Sequence, residues 1–376
     1  MSSAKRNAHE VGALVSNVID ASKGLQPWEL PQSVLGRLRR AAPPRYSEYA
    51  MFVERDVGRT ARYLTNVLIP SLQRAGPSWV PSALRRVFFH ETTIQRRPDQ
   101  LGSYDSFPAE QWFFINGILT DSGMAGWNAD YLARLFHRSF TIVQNATDGP
   151  VADLLECADE KAFGMNGEPA DAAFPEIHRA LKDPTKDRVI IIAHSQGTLI
   201  AAVLVRLLRL VYARTGEVIS EAKQAEELDA LRRTGVTLDP DDFEDVTSDE
   251  LRRLEIYCFA NCASEMRYVD PDRALPWIES FGNEHDLVAR LGMLAPDLAA
   301  ENIAIDGPLW IRRGGWGHLL NHHYLRAIEL AQGGGTAAGP KTTTPDPFEL
   351  YGGGRAAAPR LFGYINGGYG KVAELP

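Results

Sequence analysis

A single serine in a turn of small residues is the part of this chain that most directly indicates chemistry. The pentapeptide AHSQG at 193–197 has Ser195 two residues after Ala193 and two residues before Gly197. This small-x-Ser-x-Gly spacing is typical of a nucleophile elbow, in which a strand turns sharply into a helix and holds the serine in a strained backbone conformation. Large side chains at the two flanking positions would collide, because the turn brings them close together. The spacing therefore indicates a nucleophilic serine.

The segments on either side of this turn have the character that an elbow needs. Residues 189–192 form a β-branched run without alternation, which is typical of a strand buried on both faces of a parallel sheet. Residues 198–211 are nearly all apolar, but Arg206 and Arg209 interrupt them and the segment is too short to cross a bilayer, which predicts a buried helix. A chance serine and glycine between a strand and a helix is the alternative, and these two flanking elements weigh against it.

A serine hydroxyl needs a base to take its proton, and the base needs a third group that fixes its tautomer and stabilises its charge. In chains built around such an elbow, the acid and then the histidine follow the serine, each after a later strand. Asp286 follows a predicted strand at 277–281, and His318 follows a predicted strand at 309–312 in a glycine-rich loop. We therefore predict that Ser195, Asp286 and His318 form a catalytic triad.

Other residues compete for two of these roles. Three further carboxylates lie near the acid position: Asp270, Asp272 and Glu284. His322 and His323 also lie late enough in the chain to be the base, but they fall inside a predicted helix, whereas a loop residue can reach over the edge of the sheet. His194 is next to the serine, and since adjacent residues at an elbow point apart, we expect it to pack or to cap.

Metal and cofactor sites are not predicted. His318 and His322 are four residues apart, but neither a third ligand nor a His-Glu-x-x-His pattern accompanies them. We expect no metal ion and no cofactor.

A second turn, Asn116-Gly117-Ile118, follows an aromatic strand that begins at Gln111. Glycine allows the backbone to turn an N–H group toward the nucleophile, and in elbow-containing sheets an N–H from an earlier strand-to-helix loop completes the oxyanion hole. We predict that the backbone N–H groups of Gln196 and Ile118 form this hole. An ordinary strand-end turn that contains glycine is the alternative.

These motifs resemble those of the α/β-hydrolase superfamily, in particular its lipase and esterase branch. AHSQG is similar to the His-Ser-Gln-Gly elbow of bacterial lipases, with Ala193 at a position where glycine is commoner. Asn116-Gly117-Ile118 is similar to their His-Gly-Leu oxyanion turn, with Asn116 in place of histidine.

The later part of the chain carries the same resemblance. The segment NEHDLV at 283–288 is similar to the Asn-Glu-x-Asp-x-Val acid loop of filamentous-fungal triacylglycerol lipases, and His318 precedes Tyr324 much as their catalytic histidine precedes a tyrosine. The resemblance extends over about residues 111–330. It implies a serine hydrolase that cleaves a carboxylic ester or thioester, either a small molecule or a lipid. A binding or regulatory protein without turnover, or an acyltransferase with the same triad, is the alternative.

The order of predicted elements gives an α/β fold with a mostly parallel central sheet flanked by helices. A chain of 376 residues, 44% of them hydrophobic, can bury one large core. We predict a helical N-terminal extension at 1–104 that leads into the first strands, and a catalytic core at 105–331 in which 215–250 is a possible cap or insertion. A Gly/Pro-rich tail follows at 332–376.

The net charge and the cysteine content limit which partners and which cellular compartment we expect. A net charge of −8 argues against nucleic-acid binding, which needs clustered Lys and Arg. Cys157, Cys258 and Cys262 form an odd set without zinc spacing, which suits a reducing compartment. The N-terminus lacks the apolar segment of a signal peptide, so we expect a cytoplasmic protein. A predicted helix at 7–23 has a polar face poor in Lys and Arg, so membrane-surface contact is not indicated, and no oligomeric state is predicted.

Overall fold

An eight-stranded sheet organises the part of the chain that the computed structural model describes. The described residues are 47–48, 93–97, 107–117, 122–144, 167–213, 221–298, 302–331, 347–352 and 358–368. The predicted helix at 7–23 lies outside these ranges, as do Ile118, Cys157 and, apart from residues 47–48 and 93–97, the predicted N-terminal extension at 1–104.

The strands of the described ranges run in the order β1-β3-β2-β4-β5-β7-β9-β10 across this sheet, and β6 pairs with β8 separately. Their bounds are β1 (Thr93–Arg97), β2 (Glu110–Ile115), β3 (Phe140–Gln144), β4 (Arg188–His194), β5 (Leu254–Phe259), β6 (Glu265–Met266), β7 (Trp277–His285), β8 (Ala304–Ile305), β9 (Leu309–Trp316) and β10 (Glu349–Leu350). The six strands from β3 to β9 pair in parallel, and the edge strands β1 and β10 pair antiparallel with their neighbours.

Helices connect most of the parallel strands, as is usual for such crossovers, whereas β5 reaches β7 through β6 and the short 3-10 helix Pro271–Arg273. The described α-helices are α1 (Ser122–Phe136), α2 (Gly167–Lys182), α3 (Gly197–Ala213), α4 (Glu221–Arg233), α5 (Ser248–Arg252), α6 (Leu287–Leu291) and α7 (Arg326–Ala331). A π-helical stretch, Leu320–Leu325, leads directly into α7. Among the described helices, none is both long and apolar enough to cross a bilayer.

The apolar run of β4 lies at the centre of the sheet and is buried on both faces. Val189, Ile191 and Ala193 belong to the apolar cluster formed with α2 and α3. Ile190 and Ile192 belong to the cluster formed with α1 and the C-terminal helix. Successive strand residues point to opposite faces, so a strand with a core on each side needs apolar residues throughout.

This architecture is the α/β-hydrolase fold, and the predicted fold class is confirmed for the described residues. Parallel strands run side by side from β3 to β9, one edge strand is antiparallel at each end, and helices cover both faces. The central strand β4 turns into α3 within the four residues from His194 to Gly197, which is the strand-to-helix turn typical of this fold.

Two strands are longer than the sequence pattern predicts. The predicted strand at 277–281 continues to His285 as β7, and the one at 309–312 continues to Trp316 as β9. Their pairing resumes at His285 and Trp316 after a register shift. The segment at 314–316, predicted as a glycine-rich loop, is therefore strand, and only the residues after it form a loop.

The described residues of the C-terminal tail contact the core. Phe348, Phe362 and Tyr364 belong to the cluster on the α1 face of the sheet, and the ring of Tyr364 meets that of Trp112 edge-on at 5.0 Å. The hydroxyl of Tyr364 donates to the buried carboxylate of Glu255 at 2.8 Å.

The segment after α3 packs on the opposite face. Arg206 of α3 contacts Glu227 of α4 at 2.5 Å, and the N–H of Gly167 at the start of α2 donates to Thr234 O just after α4. The division of the chain into extension, core and tail, with a cap at 215–250, stays a prediction.

Gly197 provides a test of how tightly the elbow is packed. A Cβ atom on Gly197 would lie 2.4 Å from Ile115 O and 2.9 Å from Asn116 O, both main-chain atoms of β2 and its turn. We expect Gly197→Ala to lower the free energy of unfolding by about 3 kcal/mol, since the main chain must shift to make room. Urea denaturation measures this change.

Gly314→Ala is the matched control. Gly314 has a φ of +64° but no atom within 4 Å of its would-be Cβ, so its substitution adds only backbone strain of about 1 kcal/mol. Equal losses in the two variants would show that crowding at the elbow is not what requires Gly197.

Candidate active site

Ser195 occupies the turn between β4 and α3 in a backbone conformation that non-glycine residues rarely adopt. Its φ is +58°, which costs roughly 1–2 kcal/mol for an L-residue. The Ser195 N–H donates to Phe259 O of β5 at 2.9 Å, and the Ser195 carbonyl accepts from the N–H of Thr198 at 2.8 Å. These bonds fix the turn from both sides and hold the serine at the carboxyl end of the central strand.

The turn after β2 passes directly against the serine. A Cβ atom on Gly117 would lie 2.5 Å from Ser195 Cβ and 2.7 Å from His194 O, so only glycine fits there. Gln196 is buried next to the serine, whereas Ile118 lies outside the described residues. The oxyanion hole formed by the N–H groups of Gln196 and Ile118 therefore stays a prediction. The close approach of the Gly117 main chain to Ser195 is compatible with it.

The structure brings Ser195, His318 and Asp286 into one hydrogen-bonded line. His318 Nε2 lies 2.8 Å from Ser195 Oγ, and His318 Nδ1 lies 2.9 Å and 3.1 Å from the two carboxylate oxygens of Asp286. With the Nδ1 proton donated to the carboxylate, Nε2 carries a lone pair that can accept the serine proton. The imidazole is thus oriented by the carboxylate and directed at the hydroxyl.

Asp286 is held in place by the start of α6 and by Tyr324. Its Oδ1 accepts from the N–H of Val288 at 2.9 Å, which caps the helix, and its Oδ2 accepts from the Tyr324 hydroxyl at 2.6 Å. Burial alone would raise the pKa of this carboxyl, but His318 and the hydrogen bonds from His318 and Tyr324 outweigh burial and lower it. The carboxylate is therefore ionised at neutral pH.

His194 supports the base from behind and does not replace it. Its Nε2–H donates to the main-chain carbonyl of His318 at 2.8 Å, and the two rings lie 4.8 Å apart. Burial, reinforced by the neighbouring His318, lowers the pKa of His194 to about 3. It is therefore a neutral donor that holds the loop of His318, which agrees with the packing or capping role expected for it.

The competing carboxylates have other partners. Asp270 accepts hydrogen bonds from Tyr212 at 2.8 Å and from Arg273 at 2.7 Å. Glu284 contacts Arg313 at 3.1 Å, and Asp272 is exposed in the short 3-10 helix Pro271–Arg273.

The competing histidines form hydrogen bonds at the start of the C-terminal helix. His322 Nδ1 lies 2.7 Å from the hydroxyl of Ser47. His323 Nδ1 accepts from the N–H of Leu319 at 2.9 Å, and burial lowers the pKa of His323 to about 3. His323 thus caps the start of the helix that follows His318, and His322 joins that helix to Ser47.

Sequence reasoning missed the supporting role of Tyr324. The resemblance noted only that this tyrosine follows the histidine, whereas the structure has its hydroxyl bonded to both Asp286 Oδ2 and the N–H of Asn283, the latter at 3.1 Å. Tyr324 is completely buried, and a buried tyrosine hydroxyl requires a polar partner. An aromatic hydroxyl within an otherwise apolar helix face was the available signal.

No group of three His, Cys, Asp or Glu side chains is arranged to hold a metal ion within the ranges that the structure describes. The chemistry available to the described site is that of a hydroxyl, an imidazole and a carboxylate.

Comparison with solved structures finds esterases. The chain is similar to brefeldin A esterase, a bacterial homologue of human hormone-sensitive lipase, at 14% identity and a TM-score of 0.33, over 81% of this chain and 90% of that one. It is similar to a thermostable esterase from Pseudomonas putida at 15% identity and a TM-score of 0.33, over 81% and 94%. An inhibited esterase B from Lactobacillus rhamnosis matches at 12% identity and a TM-score of 0.31, over 78% and 90%.

No protein-family profile matches the chain, and no curated protein matches it. Identities and TM-scores as low as those of the solved esterases leave the chemistry to be argued from the residues of the site itself.

The bond from Tyr324 to Asp286 can be tested through stability. Tyr324→Phe removes one of the two donors to the buried Asp286 Oδ2 and leaves only the bond from His318 Nδ1, so we expect the free energy of unfolding at pH 7 to fall by about 2 kcal/mol. Because the pKa of Asp286 is held below its ordinary value of 3.8, this stabilisation is present above pH 3.8 and is lost as the pH falls through the lowered pKa. The difference from wild type should therefore shrink in acid, as measured by urea denaturation from pH 7 down to pH 3.

Tyr131→Phe is the control for this substitution. The Tyr131 hydroxyl donates to Glu329 Oε2 at 2.5 Å. The Glu329 side chain is partly exposed, so the lost bond costs less because water can reach this carboxylate. A loss as large as that of Tyr324→Phe would contradict a special dependence on the buried carboxylate.

Proposed function

We propose that the chain is a serine hydrolase that cleaves carboxylic esters through an acyl-enzyme, with Ser195 as nucleophile, His318 as base and Asp286 as orienting acid. The observation that supports this most directly is the line of hydrogen bonds from Ser195 Oγ to His318 Nε2, 2.8 Å, and from His318 Nδ1 to Asp286, 2.9 Å. A serine, histidine and carboxylate joined in this way match the roles by which such triads are recognised.

In the first half of the reaction, Ser195 Oγ attacks the ester carbonyl carbon while His318 Nε2 takes the serine proton. The carbonyl oxygen becomes an oxyanion, for which the N–H groups of Gln196 and Ile118 are the proposed donors. When the tetrahedral intermediate collapses, the bond to the leaving oxygen breaks and His318 returns its proton to the departing alcohol. Ser195 is left as an ester of the acyl group.

The second half repeats these steps with water. His318 takes a proton from the water as its oxygen attacks the acyl carbonyl, and then gives the proton to Ser195 Oγ when the acyl bond breaks. The carboxylic acid leaves, and the free serine is restored. Asp286 stays ionised throughout and stabilises the imidazolium that forms in each half.

The proposed substrate is an ester or thioester with an apolar acyl part, either a small molecule or a lipid, as the resemblance to the lipase and esterase branch implies. The proposed chemistry requires no cofactor and no metal ion. A chain that keeps the fold only as a binding or regulatory protein is the alternative, and the bonded nucleophile, base and acid weigh against it. An acyltransferase would use the same acyl-enzyme with an alcohol in place of water.

A fluorophosphonate probe tests the nucleophile. We expect wild-type protein to be labelled covalently and Ser195→Ala to remain unlabelled, because the probe reacts with a serine that a base has activated. Turnover of p-nitrophenyl esters should fall by about a millionfold in kcat, as in other triads. A chain-length series of these esters, with and without added alcohol acceptors, reports the acyl preference and separates hydrolysis from acyl transfer.

Ser248→Ala is the control for the probe, since Ser248 is bonded to Tyr212 at 2.8 Å in a different region of the fold. It should be labelled as wild type is. Failure of folded wild-type protein to react at all would favour the binding protein.

The proposed acid is tested by Asp286→Asn. An amide in place of the carboxylate no longer fixes the tautomer that leaves a lone pair on Nε2, so we expect kcat to fall by about 10⁴-fold. Asp270→Asn is the matched control, because Asp270 is also a buried carboxylate bonded to a tyrosine hydroxyl; it should keep its kcat. Full activity of Asp286→Asn would remove Asp286 from the mechanism.

A further inference from the structure

Glu48 is a buried carboxylate that reaches the active-site helix from far away in the sequence. Its side chain accepts the main-chain N–H of Asn321 at 2.7 Å and that of His322 at 2.9 Å. Both groups belong to the first turn of the π-helical stretch Leu320–Leu325, which begins two residues after His318. The residue is only 3% exposed.

The contact satisfies donors that a helix start leaves free. The first N–H groups of a helix have no partner within the helix and carry a partial positive charge, and the two oxygens of Glu48 each accept one of them. The adjacent Ser47 hydroxyl lies 2.7 Å from His322 Nδ1. Residues 47–48 are thus bonded to the helix start that closely follows His318 in the chain.

The charge of Glu48 does not serve stability at neutral pH. Burial raises the pKa of Glu48 to about 7, against the opposing effects of the two N–H groups and of His318. A carboxyl whose pKa is higher in the folded than in the unfolded protein destabilises the fold as the pH rises from 4.5 through 7. Its hydrogen-bond partners in the described residues are main-chain N–H groups and not a lysine or arginine.

We propose that Glu48 is a positioning residue for the reaction proposed above: its carboxylate fixes the helix start behind His318 and adds negative charge near the imidazole when the ring takes the serine proton. This inference rests on the proposed function. The proposed reaction forms an imidazolium at His318, so the charge of Glu48 favours the reacting state over the state in which the ring is neutral.

Three titratable groups around these two side chains keep a single charge state near neutral pH. Asp286 faces the ring and is ionised, since its pKa is lowered. His194 and His323 are neutral, since burial lowers the pKa of each to about 3. Three further groups adjoin the cluster: Tyr324, bonded to Asp286; Arg312, bonded to His323 O; and His322, bonded to Ser47. Glu48 is thus the carboxylate of the cluster, within the described residues, that changes charge near pH 7.

Glu48→Gln tests the proposal through the pH dependence of kcat. At pH 5.5 Glu48 is protonated in the wild type, so the two proteins should have similar kcat values. As the pH rises, the wild type gains the charge and the variant does not, so the ratio of wild-type to variant kcat should grow to about tenfold at pH 8.5, the effect of one charge at an effective dielectric constant of about 20. The midpoint should lie near pH 7, and KM should change less than about twofold because the charge acts on the reacting state.

Glu279→Gln is the matched control. Glu279 is a buried carboxylate that also accepts two main-chain N–H groups, from Arg360 and Leu361, and burial raises its pKa to about 7 as well. It belongs to β7 at a position paired with Tyr257 of β5, well before the carboxyl end of the strand that leads to Asp286. Its kcat ratio to wild type should be close to one at every pH.

A kcat ratio for Glu48→Gln that is the same at all pH values would overturn the proposal, because a purely structural defect does not follow the titration of Glu48. Glu48→Asp keeps the charge, so we expect it to recover most of the kcat that Glu48→Gln loses at pH 8.5. An Asp variant that recovers no kcat, or whose kcat is reduced equally at every pH, also overturns the proposal. The Asp variant alone gives this answer if the Gln variant does not fold. A folded wild type that neither reacts with the probe nor cleaves esters would instead refute the proposed function, so the two failures are distinct.

Discussion

The site depends on one crowded turn, in which β4 ends next to a residue with positive φ and α3 begins two residues later. The turn can form only because Gly117 and Gly197 allow two stretches of main chain to approach closer than any side chain would permit. The strain is local, but the bonds that oppose it extend to β5 through Phe259 O. The serine is therefore held by the central sheet and not by a loop, which gives its hydroxyl a fixed position relative to His318 and Asp286.

The acid and the base depend on the pairing of β7 with β9. Asp286 follows β7 and His318 follows β9, so the register that joins His285 to Trp316 brings the two side chains to the same edge of the sheet. Tyr324 then connects the two strand ends, because its hydroxyl bonds to Asp286 while its helix follows His318. Each of the three candidate residues is thus held by contacts from a different part of the chain, which limits the motion of the hydrogen-bonded side chains.

Local pattern was sufficient to predict β4, because a β-branched run without alternation fits a strand that has an apolar core on each face. The local pattern was insufficient to predict the ends of β7 and β9. Gly282 and Gly314 weaken a strand as single residues, and the two strand ends stay extended only because β7 and β9 pair with each other. The order of serine, acid and histidine followed from topology, and the structure brings those three residues together. Glu48 could not be predicted, since its partners are main-chain N–H groups 273 and 274 residues away and no side-chain pattern records such contacts.

The packing of residues 358–368 against the core affects how the chain folds during synthesis. Tyr364 and Phe362 fill the apolar cluster that also contains Trp112, and the Tyr364 hydroxyl satisfies Glu255. During synthesis these residues leave the ribosome after all ten described strands. Until then one face of the sheet is partly uncovered, and the buried carboxylate of Glu255 has Arg188 and Tyr257 as partners but not Tyr364. Contacts that close such long loops form slowly. The nascent chain is therefore exposed to aggregation or to chaperones until this segment emerges, whereas the elbow and its helix can assemble earlier.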